Sequence, residues 1–154
     1  MERKTKVHAK DGKQELLITR EFDLPLKLLF KAYEDAEIVE QWMGTKVLKL
    51  ENKKHGSYAF ETTDPMGNKH GFNGTIHEFV PNQKITRTFE MEGASFPVQL
   101  EFLEFGHCTD HTSQLTIHIL YKSVETRDQI LKLPFAQGLN AAHNRLEEIA
   151  SKLA

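Results

Sequence analysis

The stretch GHCTDHT, Gly106 to Thr112, gathers four side chains of metal-ligand type: His107, Cys108, Asp110 and His111. A metal centre needs three or four ligands aimed at one point, and one short turn does not aim its own residues that way. No Cys-x-x-Cys or His-Glu-x-x-His spacing accompanies them. The expectation is an exposed hairpin without a metal. Cys108 beside a histidine also has the makings of a thiol nucleophile, but a reactive thiolate needs a lowered pKa and a third, orienting group. His77, His118 and His143 fall on polar faces by strand parity or helical phase, so they are expected at the surface, and His55 and His70 lie near turns. There is no Ser/His/Asp order, no phosphate-cradling glycine loop and no persuasive carboxylate pair. No catalytic residue, metal ligand or cofactor is therefore assigned.

Arg87 carries more information. In KITRTFEM it shares strand parity with Ile85, Phe89 and Met91. If those residues face a core, Arg87 does too, and a buried charge must be paired or must meet a ligand. Glu78 has the parity of Phe72, Ile76 and Val80, so it is expected inside as well, across the PNQ turn from Arg87. The two could pair with each other or snorkel at a rim. Otherwise Arg87 is free to hold an anionic or hydroxylated ligand.

The elements that must position these groups follow from periodicity. QELLITREF alternates as a strand, with Leu16, Ile18 and Phe22 on one face. Asp23 or Leu24 can cap a following helix with Pro25 in its first turn, and Leu26, Leu29, Phe30 and Tyr33 form its apolar stripe. A second short helix spans Ala36 to Trp42, with Ile38, Val39 and the only tryptophan, Trp42, on one side and Gly44 as its stop. From Thr45 to Tyr121 the period is two. DPMGN, PNQ and GHCTDHT are the turns of an antiparallel meander. Pro134 separates a short segment, Val124 to Leu133, from a long final helix striped by Phe135, Leu139, Ala142, Leu146, Ile149 and Leu153. A sheet with one apolar face needs a cover, and only the last helix is long enough to supply it. The class is α+β: a curved antiparallel sheet around a long C-terminal helix, with a cavity between them closed by the short helices.

The bulk numbers set the frame. A chain of 154 residues is expected to form one domain, residues 1–154, with residues 1–14 a flexible or short strand-forming extension. Net charge −2 argues against nucleic acid as a partner. One cysteine excludes an intrachain disulfide, no apolar run nears the ~18 residues of a membrane span, and the basic start lacks the apolar core of a secretory signal. The expected location is the cytoplasm. The sequence carries no signal of oligomeric state.

ITREFDLP followed by LFKAYEDAEIVEQWMG resembles the opening motif of the domain named after the activator of heat shock protein 90 ATPase, within the START-like, Bet v-like (SRPBCC) superfamily. Arg20, Phe22, Pro25, Phe30, Ala32, Gln41, Trp42 and Gly44 match that motif. DPMGN, GTIHEFVPNQKITRTFE and QGLNAAHNRLEEIA also resemble the family, so the likeness runs from Leu16 to Leu153. Met43 stands where the family often has a second tryptophan. The resemblance implies the helix-grip fold and a ligand cavity.

The leading expectation is a binder of a small hydrophobic or amphipathic molecule between sheet and final helix. Tyr58, Phe60, Phe72, Phe89 and Leu100 on the sheet, Phe135 and Leu139 on the helix, and Trp42 at the closed end are the expected lining. Arg87 or Tyr58 would orient a polar end. Gly138, lacking a side chain, would permit close approach or open a gap. Two alternatives accompany this reading. One is an enzyme of cyclase, hydrolase or dehydratase type in the same cavity, which needs a tuned acid–base group there. The other is an interaction module with a chaperone as its partner, which needs a large exposed apolar patch.

Overall fold

The computed structural model describes residues 4–153. A short strand β1 (Lys6–His8) precedes β2 (Glu15–Phe22), helices α1 (Leu26–Glu34) and α2 (Ala36–Met43), and then six strands. These are β3 (Lys46–Leu50), β4 (Ser57–Thr63), β5 (Lys69–Val80), β6 (Lys84–Met91), β7 (Gln99–His107) and β8 (Ser113–Leu120). Helices α3 (Val124–Lys132) and α4 (Phe135–Ser151) close the chain. The strands form one antiparallel sheet in the order β1-β2-β8-β7-β6-β5-β4-β3. Its concave side holds α4, with α1 and α2 packed at one end, which is the α+β helix-grip architecture expected.

Local chemistry accounts for the boundaries. Asp35 accepts hydrogen bonds from the N–H groups of Glu37 and Ile38, capping α2 at a gain of about 1 kcal/mol. Gly44 ends α2 in the left-handed region (φ 62°), which a Cβ would strain. Helix α1 differs from expectation: Pro25 is its cap, without a side-chain bond. The Asp23 N–H instead donates to the Glu147 carboxylate on α4 (2.6 Å). Ser123 caps α3 through the N–H of Thr126, and the helical path breaks at Leu133–Pro134 as the proline requires.

Four expectations about facing are corrected. A bulge between Ile76 and Glu78 sets two β5 residues against one step of β6, so Ile76 lies opposite Arg87 but Glu78 lies opposite Thr86. Parity reverses at His77. Phe79 turns inward against Phe30 (ring centroids 5.4 Å), while Glu78 turns out to Lys84 (3.0 Å) and Thr86 (2.8 Å). On β7 the buried phase is Glu101, Leu103 and Phe105, so Leu100 and Phe102 belong to the outer face, opposite Leu120 and His118. That strand has apolar residues in both phases, and only its register against β6 decides between them. His143 is fully buried rather than exposed, because Thr5, just before β1, covers it and its hydroxyl lies 2.8 Å from Nδ1. Gly138 is exposed, and a Cβ there would meet nothing within 4 Å.

Gly74 is a true close approach. A Cβ on it would lie 2.6 Å from the Tyr58 ring and 2.0 Å from the Thr88 carbonyl oxygen. Its bare backbone lets Tyr58 reach across β5 and donate its hydroxyl to Thr88 on β6.

Candidate ligand-binding site

Between the concave sheet and α4 lies a cavity of about 230 Å³. Ile18 of β2, Leu103 of β7, and Ile117 and Ile119 of β8 form its apolar floor. Leu139 and Ala142 form the roof, and Tyr33, Trp42 and Met43 close the α1–α2 end. Trp42 is both plug and wall. Its Nε1 donates to the Ala32 carbonyl (2.8 Å), its ring packs against Tyr33 (centroids 5.1 Å), and its own carbonyl accepts from Arg145 of α4 (3.1 Å).

One charged pair interrupts these apolar walls. The register of β6 against β7 sets Arg87 directly opposite Glu101. Arg87 Nε donates to Glu101 Oε1 (3.1 Å), and Gln99 Nε2 donates to Oε2 of the same carboxylate (2.7 Å). The side chains of Arg87 and Glu101 are 15% and 10% exposed. Glu101 therefore supplies the partner expected of Glu78. Only Nε of the guanidinium is used; Nη1 and Nη2 have no hydrogen-bond partner among the described residues. The guanidinium carbon sits 5.2 Å from the centroid of the Tyr58 ring, a cation–π contact. Burial pushes the Tyr33 and Tyr58 phenols well above their ordinary pKa, so both are neutral at physiological pH. Tyr58 already donates its hydroxyl to the Thr88 carbonyl and does not line this cavity, whereas Tyr33 does.

A second cavity of about 310 Å³ adjoins the first and shares Phe89, Gln99 and Phe135 with it. It lies under the α3–α4 junction, lined also by Met91, Phe96, Tyr121, Ile130 and Leu133.

The expected lining residues thus divide. Trp42, Arg87, Phe89, Phe135 and Leu139 come together around the first cavity. Tyr58 and Phe60 are buried beyond it in a separate cluster with Val39 and Ile76, against which Phe72 packs. Leu100 is on the far face of the sheet. Reading the sequence missed Tyr33 as a wall residue, together with Gln99, Glu101 and Tyr121. A signal existed for Glu101: an inward arginine demands a carboxylate, and β7 supplies one two residues before a buried leucine.

Elsewhere, the β7–β8 turn is organised by Thr109, whose hydroxyl accepts from the N–H groups of His111 and Thr112, with Cys108 exposed. No group of three or more His, Cys, Asp or Glu side chains converges on a metal position among the described residues. No histidine lines either cavity. A larger groove of about 520 Å³ runs along the end of β2, with Glu147 as its α4 residue. It carries both signs of charge, and Lys4 and Arg20 there pair with Glu147 (3.5 and 3.3 Å). Arg20 is buried, donating also to Asn144 (2.8 Å) and to Thr5 (3.3 Å), which binds α4 to the first strands. No helix among the described residues is long and apolar enough to cross a membrane.

Comparison with known proteins agrees with this geometry. The family model described as Activator of Hsp90 ATPase homolog 1-like protein matches residues 23–151. A crystal structure of a Mycobacterium smegmatis protein is similar at 21% identity, covering 94% of this chain and 95% of that one, with a TM-score of 0.84. An Arthrobacter aurescens protein solved by NMR shares 16% identity over 96% and 91% of the two chains (TM-score 0.85). A Rhodobacter sphaeroides protein shares 17% over 97% and 99% (TM-score 0.84). At these identities the likeness is one of fold. Among curated proteins, none matches.

Proposed function

We propose that this chain, which belongs to the Activator of Hsp90 ATPase homolog 1-like family, binds a small, largely apolar molecule between its sheet and α4. The observation that carries this reading is the Arg87 guanidinium, presented to an apolar cavity with two nitrogens unused. Both nitrogens keep some accessible surface, and a hydrogen bond from a charged donor is strong in apolar surroundings. A ligand oxygen beside Nη1 and Nη2 would make that bond.

Charge balance refines the ligand class. Glu101 already offsets the positive charge of Arg87, so a carboxylate placed there would leave an uncompensated negative charge in an apolar space. A neutral acceptor, a ketone or amide carbonyl, matches the site better than an acid. Size agrees, since a cavity of roughly 150 Å³ holds benzene and this one is about 230 Å³. A compact ketone of six to ten heavy atoms fits on that scale, roughly.

The test is calorimetric titration with 2-octanone and with octanoate, on wild type and on the Arg87→Met/Glu101→Gln variant, which removes both charges. The ketone should bind wild type more tightly than the acid. It should lose roughly tenfold on the variant, the scale of a hydrogen bond to a charged donor. Equal ketone affinity for both proteins would remove Arg87 from ligand recognition.

A further inference from the structure

The second cavity is as informative as the first. Tyr121, the residue after β8, continues the inward phase of Ile117 and Ile119 and is 3% exposed. Its backbone is held on both sides: its N–H donates to the Gln14 carbonyl (2.8 Å), and its carbonyl accepts from Gln14 Nε2 (2.9 Å). The ring is buried, yet its hydroxyl has no hydrogen-bond partner among the described residues. A buried phenol ordinarily finds one, because the unmade bond costs free energy. The cavity that Tyr121 lines is otherwise apolar but for Gln99, whose amide is engaged with Glu101.

The two cavities are separated by few atoms. Phe89 of β6, Phe135 at the start of α4 and Gln99 line both. Both aromatic rings are only partly buried. Each cavity alone lies at or below the lower end of the roughly 300–1,000 Å³ typical of ligand pockets; joined, they fall within it. The outer cavity also has an apolar rim, where Leu133 beside the helix break lines it and is 49% exposed.

We propose that the two cavities form one bipartite compartment for an elongated, uncharged molecule. Its carbonyl sits at Arg87, its apolar body passes Phe89 and Phe135, and a second oxygen accepts or donates a hydrogen bond at Tyr121. Sheet geometry sets the spacing. Arg87 and Tyr121 lie two strands apart, and the Gln99 level is two residues along from the Glu101 level. At ~4.8 Å between strands and ~3.4 Å per residue the backbones are separated by roughly 12 Å. Access is across the Leu133 rim, the end of the compartment opposite Trp42.

This assignment rests on the ligand-binding reading above, and the experiment separates the two. Wild type, Tyr121→Phe and Arg87→Met/Glu101→Gln are titrated with 2-alkanones of six to twelve carbons and with the same ketones bearing a terminal hydroxyl. Tyr121→Phe deletes only an unpartnered hydroxyl, so the fold is retained, as its melting temperature checks. Affinity of wild type for the plain ketones should rise up to about fourfold per added methylene beyond the length that fills the inner cavity. One hydroxyketone length should bind roughly three- to tenfold more tightly than its parent ketone, and Tyr121→Phe should erase that gain. If ketones bind wild type and weaken on the Arg87 variant, but affinity stops rising at short chains and no hydroxyl gives a Tyr121-dependent gain, the bipartite compartment is overturned and the inner site stands. No ketone binding to wild type overturns both.

Discussion

Replacing Glu101 by glutamine tests the central electrostatic claim. The substitution keeps shape and an acceptor for Arg87 Nε, but removes the charge that balances a guanidinium only 15% exposed. Breaking a buried pair by neutralising one partner costs about 3–5 kcal/mol. The residual exposure of both side chains and the retained hydrogen bond reduce this to roughly 2–4 kcal/mol. For a domain of this size each kcal/mol shifts Tm by roughly 2–4 °C, so the variant should melt roughly 4–16 °C lower. Arg87→Met alone should also destabilise, leaving Glu101 unpaired in the cavity wall. The double variant Arg87→Met/Glu101→Gln should recover most of the loss, because neither charge then remains to be desolvated. The assay is urea unfolding followed by circular dichroism on all four proteins, analysed as a double-mutant cycle, with coupling of about 1–3 kcal/mol expected. A loss below about 0.5 kcal/mol for Glu101→Gln, the scale of an ordinary surface substitution, would refute the reasoning. So would strict additivity in the double variant, since the pair would then not be acting as a pair.

Two further outcomes follow from the packing. Burial, with the Arg20 cation nearby, lowers the His143 pKa to about 3. The unfolded histidine has the ordinary value near 6.5, so the folded state requires the neutral form. The contribution of this group is complete above about pH 6.5 and is lost as pH falls toward 3, at up to about 1.4 kcal/mol per pH unit. Between pH 7 and pH 5 it should remove about 2 kcal/mol from wild type. His143→Leu should lack that part of the slope in urea midpoints; identical slopes would mean that His143 is hydrated in the fold. Gly74→Ala should cost about 3 kcal/mol or more, since its Cβ would overlap the Tyr58 ring and the Thr88 carbonyl. The measurement is thermal melting, and a variant within 2 °C of wild type would show that Tyr58 does not need this passage.

Much of the site's framework was readable from local pattern. The change from helical to alternating period near Gly44, the break at Pro134 and the stripe of α1 are properties of a few consecutive residues, and each lies where the structure has it. Arg87 was legible for the same reason: parity with Ile85 and Phe89 is local to one strand. Its partner was not. Glu78 had the right parity until one extra residue, His77, reversed the strand, and a bulge leaves no clear mark in the side-chain sequence.

The sequence by itself determined which segments are helix or strand from Leu16 onward, that Arg87 faces the interior, and that Trp42 closes the helical end. Those follow from propensity and periodicity, which act over a single element. Tertiary structure alone decided that Glu101 meets Arg87, that Leu100 turns outward, that the segment leading into β1 buries His143, and that the Tyr121 hydroxyl has no hydrogen-bond partner among the described residues. These depend on register between strands and on which distant segment covers which face. A one-residue slip in register exchanges the two faces of a strand, so only the whole set of cross-strand contacts, settled together, selects the residues that share the cavity.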